Sequence, residues 1–338
     1  MVLMGCSGRR ELRFEGKTMG TIYHIKVVAG YWTRTGPIQT VIDDTLEAVN
    51  ASMSTYRPES EISRFNRFRE AGRAFEIGAG FFEVMNTAHQ LHRLTEGAWD
   101  GTVDPLIELW GFGRDQKPPA VPASEDIQAA MGRVGFDRID IAPPDTLIKR
   151  SADVSLNLSS IAKGYGVDAV AREIRALGFS DFLVEIGGEV MASGVRPDGS
   201  PWRVGINLPR TDAGFEEVYK VIALTDRAFA TSGDYRNYFV LDGRRYSHII
   251  DPRTGYPVAS GIVSASVAAP TCTLADGLAT ALVVMGAEAG MALVNRLDGV
   301  EGYIIVETAD GRLVDHFSSG FEIEATGSQD AGKRQDRQ

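Results

Sequence analysis

The sequence predicts an α+β fold of mixed, largely antiparallel sheets with packed helices, closed into a single compact unit. Three observations carry this. Short strand-like runs flank the tight-turn signals Asp198-Gly199, Asp242-Gly243 and Asp310-Gly311, the pattern of antiparallel hairpins. Between such runs lie segments whose apolar residues recur at helical spacing. The 338 residues, 43% of them hydrophobic, suffice for a sizeable core, and neither an internal repeat nor a linker divides them.

Thr18-Met19-Gly20 reads as a turn, and the alternation from Thr21 to Val27 within Arg13 to Val28 predicts a half-buried first strand. Ile38, Val41, Ile42, Leu46 and Val49 place a helix over Pro37 to Met53, which runs out before Pro58. Ser60 caps a short helix to Asn66, and Phe81 to Leu94 is an amphipathic helix ending near Gly97. A loop from Ala98 to Leu106 leads into Leu109 to Gly113, and Arg114 to Ser124 is a Pro-rich surface excursion. A helix over Glu125 to Met131 and strands near Ile139 and Leu147 follow, then a polar island from Leu156 to Asp168. Next come a helix over Gly166 to Leu177, a strand over Phe182 to Ile186, the Gly187-Gly188 pair, a turn at Arg196 to Gly199 and a strand over Trp202 to Ile206. Ala230 to Val258 reads as one hairpin with polar ends: a strand closes at Thr231, and Tyr238 to Leu241 pairs with Arg244 to Ile250. Ile262 to Ala268 is strand, Ala275 to Val284 and Ala287 to Arg296 are helices, and Gly302 to Val306 with Leu313 to Phe317 form the last hairpin. The folded domain is set at residues 13–322, after an N-terminal segment of 1–12 and before a polar, disordered tail of 323–338.

A net charge of -10 leaves no basic excess for neutralising phosphates, so nucleic acid is excluded as the main partner. An anionic small ligand then needs a local cation. The two cysteines, Cys6 and Cys272, support neither a disulfide framework nor a zinc cluster. Leu3-Met4-Gly5-Cys6 resembles the end of a bacterial lipoprotein signal, without the charged and apolar regions that should stand before it. A lipid at Cys6 would tether the domain to a surface, since no apolar run is long enough to span a membrane.

Asp276 and Thr280, at i and i+4, present a carboxylate and a hydroxyl to one spot on a helix face. Such hard oxygens suit Mg²⁺ or Ca²⁺ better than zinc. The alternative is a capping Asp with a Thr bonded to its own backbone. Lys163 stands among small residues at a helix start, where it and free backbone amides can hold an anion, or where it simply faces solvent. Gly187-Gly188 marks a close backbone approach, to a ligand or to another strand. His248 ends a strand beside an acidic turn, as a base or as a hydrogen-bonded structural residue. Tyr56 and Trp99 lie in loops, open to stacking on a planar ligand or to core packing.

These islands, taken together and in order from Thr18 to about Phe317, resemble the ApbE family of bacterial flavin transferases. The resemblance rests on Met19-Gly20-Thr21, Met53 to Asn66, Leu109 to Gly113, Ile161 to Tyr165 with Asp168, Glu185 to Glu189, Thr231 to Val258, and Ala275-Asp276 with Leu278 to Leu282. It implies an ApbE-like, T-fold-like domain that moves FMN from FAD to a threonine of an acceptor protein. It further implies Mg²⁺ held by the Ala162 carbonyl and the side chains of Asp276 and Thr280. FAD contacts map to Met19, Tyr56, Ala98, Trp99, Asp100, Ser159, Lys163, Tyr165, His248 and Ile250. Four positions depart from the family pattern: Asn157 stands where Asp is frequent, Asp104 and Gly277 where Gly and Ala are common, and Trp99 where Phe is usual. Gly277 lowers helix propensity by about 1 kcal/mol.

The expected chemistry is in-line attack by the acceptor threonine on the FMN-side phosphorus of FAD, with AMP leaving and Asp276 or His248 taking the proton. The alternatives are a Mg²⁺-dependent FAD pyrophosphatase, in which water replaces the threonine, and a surface flavin carrier without catalysis. The acceptor is expected to be an exported or membrane electron-transfer subunit, and the enzyme to sit at the periplasmic face of the inner membrane, anchored through Cys6.

Overall fold

The first two strands, β1 (Arg9–Thr18) and β2 (Thr21–Gly30), pair in unbroken antiparallel register from Arg9 with Gly30 to Thr18 with Thr21. They are seen in a computed structural model that describes residues 8–113, 118–209, 217–233 and 237–322. β1 begins inside the segment read as a linker, which corrects the domain start from residue 13 to Arg9. Leu12 and Phe14 face the core while charged residues alternate with them. Leu3 to Cys6, the lipid-anchor residue included, and the tail of 323–338 lie outside the described residues, as do 114–117 of the Pro-rich excursion and Asp234.

The chain continues through α1 (Gly36–Met53), α2 (Glu61–Arg67), β3 (Ala74–Glu76), α3 (Ala79–Leu94), α4 (Asp104–Leu109), α5 (Ser124–Met131), β4 (Ile139–Ala142) and β5 (Thr146–Lys149). It then forms α6 (Ser159–Ala176), β6 (Phe182–Ile186), β7 (Glu189–Ser193), β8 (Trp202–Asn207), β9 (Val218–Leu224) and β10 (Arg227–Ser232). Last come β11 (Tyr238–Leu241), β12 (Arg244–Ser247), β13 (Ile262–Ala269), α7 (Cys272–Met285), α8 (Ala287–Val294), β14 (Glu301–Glu307) and β15 (Leu313–Phe317).

Eight of these strands build one antiparallel sheet in the order β1-β2-β6-β7-β10-β13-β14-β15. The helices α1, α3, α6, α7 and α8 cover one face, and a single apolar cluster runs through them and the sheet from Leu12 to Ile304. The β8–β9 ribbon covers the other face, where Trp202, Ile206, Ile222 and Leu224 pack on Phe229, Val263 and Tyr303. This layering is the α+β arrangement of largely antiparallel sheets and packed helices that the sequence predicts.

Three local readings change. The Ala230–Val258 block is not one hairpin: Thr231 and Ser232 belong to β10 in the main sheet, while β11–β12 is a separate two-stranded ribbon. The turn at Arg196–Gly199 forms, but the strands it joins belong to different sheets, because β8 pairs with β9. Finally, α6 starts at Ser159 and not at Gly166, so Gly164 and Gly166 lie inside the helix. They are there for closeness: a Cβ at Gly164 would lie 2.4 Å from the Cys272 carbonyl oxygen and 2.9 Å from the Asp276 Cβ. Helices α6 and α7 therefore cross with almost no gap, and the site forms at this crossing.

A candidate active site at the crossing of two helices

Asp168 on α6 fixes the crossing from one side. Its carboxylate accepts from the amides of Cys272 and Thr273, at 2.8 Å each, and from the Thr273 hydroxyl at 2.6 Å. It thus caps the N-terminus of α7 from another helix, supplementing the local cap in which Thr271 accepts from the Leu274 amide. One turn further along α7, the Asp276 carboxylate accepts from the Gly164 amide at 3.0 Å. Asp276 is therefore not a terminal cap but a second-turn residue, 3% exposed. Burial pushes its carboxyl up to about 6, against the pull of Lys163 and the Gly164 amide. Thr280 follows on the same face, its hydroxyl 3.0 Å from the Ser232 hydroxyl at the end of β10.

Lys163 lies in the second turn of α6, so it is not at the helix start. Three amides of that start are engaged locally: Ser159 donates to the Asn157 side chain, and Ile161 and Ala162 to the Leu158 carbonyl. The cation available to an anion is thus Lys163 itself, whose ammonium lies 2.5 Å from the Glu189 carboxylate. The two meet as a close ion pair, and Lys163 is the only partner of Glu189 Oε2 among the described residues. Burial pushes the Glu189 carboxyl up to about 8, with Asp276 adding to the shift and Lys163 opposing it. Burial works against the Lys163 ammonium, but Asp276 and Glu189 outweigh it and hold that group well above the ordinary lysine range.

Two cavities open on this cluster. One, of about 330 Å³, is lined by Asp276, Thr280 and Glu189 from below, by Thr231 and Ser232 of β10, by Ala98 to Asp100, and by His248 and Ile250. The other, of about 1200 Å³, is lined by Met19, Ala162 and the Ser54-to-Arg57 turn, with Tyr56, 79% exposed, at its rim. Asn157, Ser159 and Lys163 line both. Volumes of this order suit an extended ligand with two bulky ends.

The structure brings together most of the residues singled out in the sequence. Asp276, Thr280, Lys163, Ser159, His248, Ile250, Ala98, Trp99 and Asp100 line the smaller cavity, and Met19, Tyr56 and Ala162 the larger. Tyr165 is the exception and lines neither. On a helix it points almost opposite to Lys163; its buried ring joins the main core, and its hydroxyl is 3.4 Å from Glu83 on α3. Two others do structural work as well. Trp99 is buried and donates from Nε1 to the Ser160 hydroxyl, while Asp100 accepts from the Thr102 and Phe136 amides. Glu189 was missed as a site residue. It stood only as the end of the Gly187-Gly188 motif, and its one sequence signal is a carboxylate opening an otherwise apolar strand.

His248 Nδ1 lies 3.0 Å from the Asn237 carbonyl, which can only accept. The ring therefore donates from Nδ1, and in its neutral form Nε2 carries the lone pair. Burial lowers the imidazole pKa, which keeps the ring neutral near pH 7. The side-chain donors at the crossing are a buried carboxylate and a hydroxyl, both hard oxygens, and the raised Asp276 carboxyl would be returned to its ionised form by a bound cation. These residues fit Mg²⁺. Among the described residues no group of three or more His, Cys, Asp and Glu side chains is placed to hold a metal by itself.

Comparison with known proteins agrees with this geometry. The ApbE family profile matches residues 19–304. The FAD:protein FMN transferase of Vibrio cholerae is 44% identical over 324 residues, which is 95% of each chain. A solved flavin transferase ApbE from Vibrio cholerae superposes with a TM-score of 0.83 at 42% identity, covering 92% of this chain and 98% of that one. The apo flavinyl transferase ApbE of Pseudomonas stutzeri gives 0.83 at 37% identity, covering 94% and 97%. With a match that takes in both helices of the crossing and the walls of both cavities, the chain belongs to the ApbE family.

Proposed function

We propose that the chain is a Mg²⁺-dependent FAD:protein FMN transferase that attaches FMN to a threonine hydroxyl of an acceptor protein and releases AMP. The observation that carries this reading is Lys163, set between two cavities and one helical position from Ala162, with Asp276 and Glu189 buried around it. A pyrophosphate at that junction would leave one end of FAD in each cavity.

In this reading the threonine oxygen forms a bond to the FMN-side phosphorus as the bond from that phosphorus to the AMP oxygen breaks. Asp276, Thr280 and the Ala162 carbonyl would hold Mg²⁺, which when bound supplies charge neutralisation for the phosphate oxygens. Lys163 supplies a fixed positive charge at the same place. His248 is the better proton acceptor of the two candidates. Its neutral ring carries the lone pair on Nε2, whereas the Asp276 carboxylate is 3% exposed and committed to the Gly164 amide.

The test is mass spectrometry of an acceptor protein incubated with this chain, FAD and Mg²⁺. A gain equal to FMN minus water identifies transfer. Free FMN and AMP without a gain would show hydrolysis instead, and FAD bound but intact would show a carrier. Asp276→Ala should lower transfer by at least about 100-fold, the order of removing a key transition-state electrostatic element. Full activity in that variant overturns the metal assignment.

A further inference from the structure

The open end of the β1–β2 hairpin carries the largest exposed aromatic residue of the described chain. Trp32 is 90% exposed and Tyr31 59%, and the two rings meet edge to face at 5.2 Å in the turn between β2 and α1. The Arg10 guanidinium lies 5.4 Å above the Tyr31 ring and donates to the Thr33 carbonyl, and Arg34 stands exposed two residues beyond Trp32. Arg9 is paired with Asp181. In a chain of net charge -10, neither 8–10 nor 30–37 contains an acidic residue. Gly8, the first described residue, also lies here, since a Cβ on it would be 3.7 Å from the Tyr31 Cβ.

We propose that this end of the hairpin is a docking surface for an anionic lipid bilayer, with Trp32 and Tyr31 entering the headgroup region and Arg10 and Arg34 meeting lipid phosphates. An amphipathic ring pair gains at the boundary between headgroups and water, and arginines are drawn to a negative surface. The charge and the aromatics coincide, so one orientation satisfies both. That orientation has a consequence for the site. The closed end of the same hairpin, Thr18 to Thr21, lines the larger cavity. Nine strand steps of ~3.4 Å place it about 30 Å from the open end. A chain docked by Trp32 thus holds its cavities away from the lipid, open to an acceptor that stands clear of the bilayer.

The molecule carries its own reporter, because Trp99, Trp110 and Trp202 are each 2% exposed and only Trp32 is accessible. The experiment uses the full chain with Cys6→Ser, so that no lipid on that residue contributes. It is titrated with vesicles of phosphatidylglycerol and phosphatidylcholine, and with phosphatidylcholine alone. The expected result is a blue shift of emission, protection from acrylamide and quenching by brominated acyl chains with the anionic vesicles only, all reversed by salt. Arg10→Gln with Arg34→Gln should weaken vesicle binding about 30-fold, and Trp32→Ala should weaken co-sedimentation while leaving FAD binding unchanged. Full acrylamide access to Trp32 with anionic vesicles overturns the proposal. So does vesicle binding that ignores all three substitutions, which would place the lipid contact elsewhere. Protection of Trp32 by an acceptor protein or by self-association, and not by vesicles, also overturns it and gives the surface to that partner.

Discussion

The Glu189 carboxyl and the Lys163 ammonium lie 2.5 Å apart at the junction of the two cavities, with the Glu189 side chain 3% exposed and the Lys163 side chain 30%. Removing Glu189 takes away one of the two carboxylates that face Lys163 and leaves Asp276 as the other. Glu189→Ala should therefore lower the stability of the ligand-free chain by about 2 kcal/mol, less than for an isolated buried pair because Asp276 still faces Lys163. If Lys163 binds the FAD pyrophosphate, that anion replaces the lost carboxylate, and FAD should raise the melting temperature of Glu189→Ala more than that of the parent chain. Equal shifts in thermal melts would remove Lys163 from the phosphate site. That Asp276 and Thr280 share one spot was legible in the sequence because they are one helical turn apart, a relation that spacing alone reveals. Glu189 was not, because its partner is on another element and only the fold brings the two together. The same holds for Asn157 and Asp104, two departures from the family pattern that proved to be partners. Asn157 donates to Asp104 at 2.8 Å, where an aspartate at 157 would oppose carboxylate to carboxylate.

Helices were read well from periodicity, since long amphipathic segments such as α1 and α3 bury one face of a regular pattern, whereas β7, buried along its whole length, shows no alternation and was not read as a strand. The helix expected from Gly166 instead begins at Ser159. At Gly164 and Gly166 the residue serves contact between elements, and a Cβ at Gly166 would fall 2.7 Å from the Met19 methyl. Gly277 on α7 follows the same logic. Propensity alone says that alanine there would strengthen the helix by about 1 kcal/mol. Its Cβ, however, would lie 2.2 Å from a Leu91 methyl on α3 and 2.9 Å from Ile161 on α6, so glycine is what lets three helices meet. Gly277→Ala should thus destabilise the chain by about 1–2 kcal/mol, as overpacking does. Leu91→Val in the same chain should recover part of that loss, with a coupling of about 1 kcal/mol between the two sites. Denaturant midpoints of both variants measure this. A more stable Gly277→Ala would mean that propensity outweighs the contact.

Over the whole molecule, the hairpins at Asp242-Gly243 and Asp310-Gly311 were legible, but the one expected at Arg196–Gly199 gives way to the β8–β9 pairing, and strand order was not legible. Turn signals show which strands are sequential, whereas β10 lies between β7 and β13 because of pairings made across long stretches of chain. Global stability has one further contributor that spacing does not reveal, Lys149 on β5. It is fully buried, its ammonium has no hydrogen-bond partner among the described residues, and it rests 4.6 Å above the Phe65 ring. The cation–π contact offsets part of the desolvation cost, typically by about 1–2 kcal/mol. The remainder appears as a pKa lowered to about 8, through burial and the nearby Arg69, with Asp153 opposing. In the unfolded chain this lysine titrates near ~10.4, so between about 8 and ~10.4 the unfolded state binds more protons than the folded one. This residue's contribution therefore makes stability rise with pH through that window, while below about 8 its penalty is present in full. Lys149→Met keeps the apolar stem and removes the charge. It should stabilise the chain by about 2 kcal/mol at pH 7, and by progressively less as pH climbs past 8, because the parent then sheds the same proton. Urea unfolding of both chains at pH 7 and at pH 10 decides it: a gain that is equal at the two values would assign the stabilisation to packing and leave the buried charge without a role.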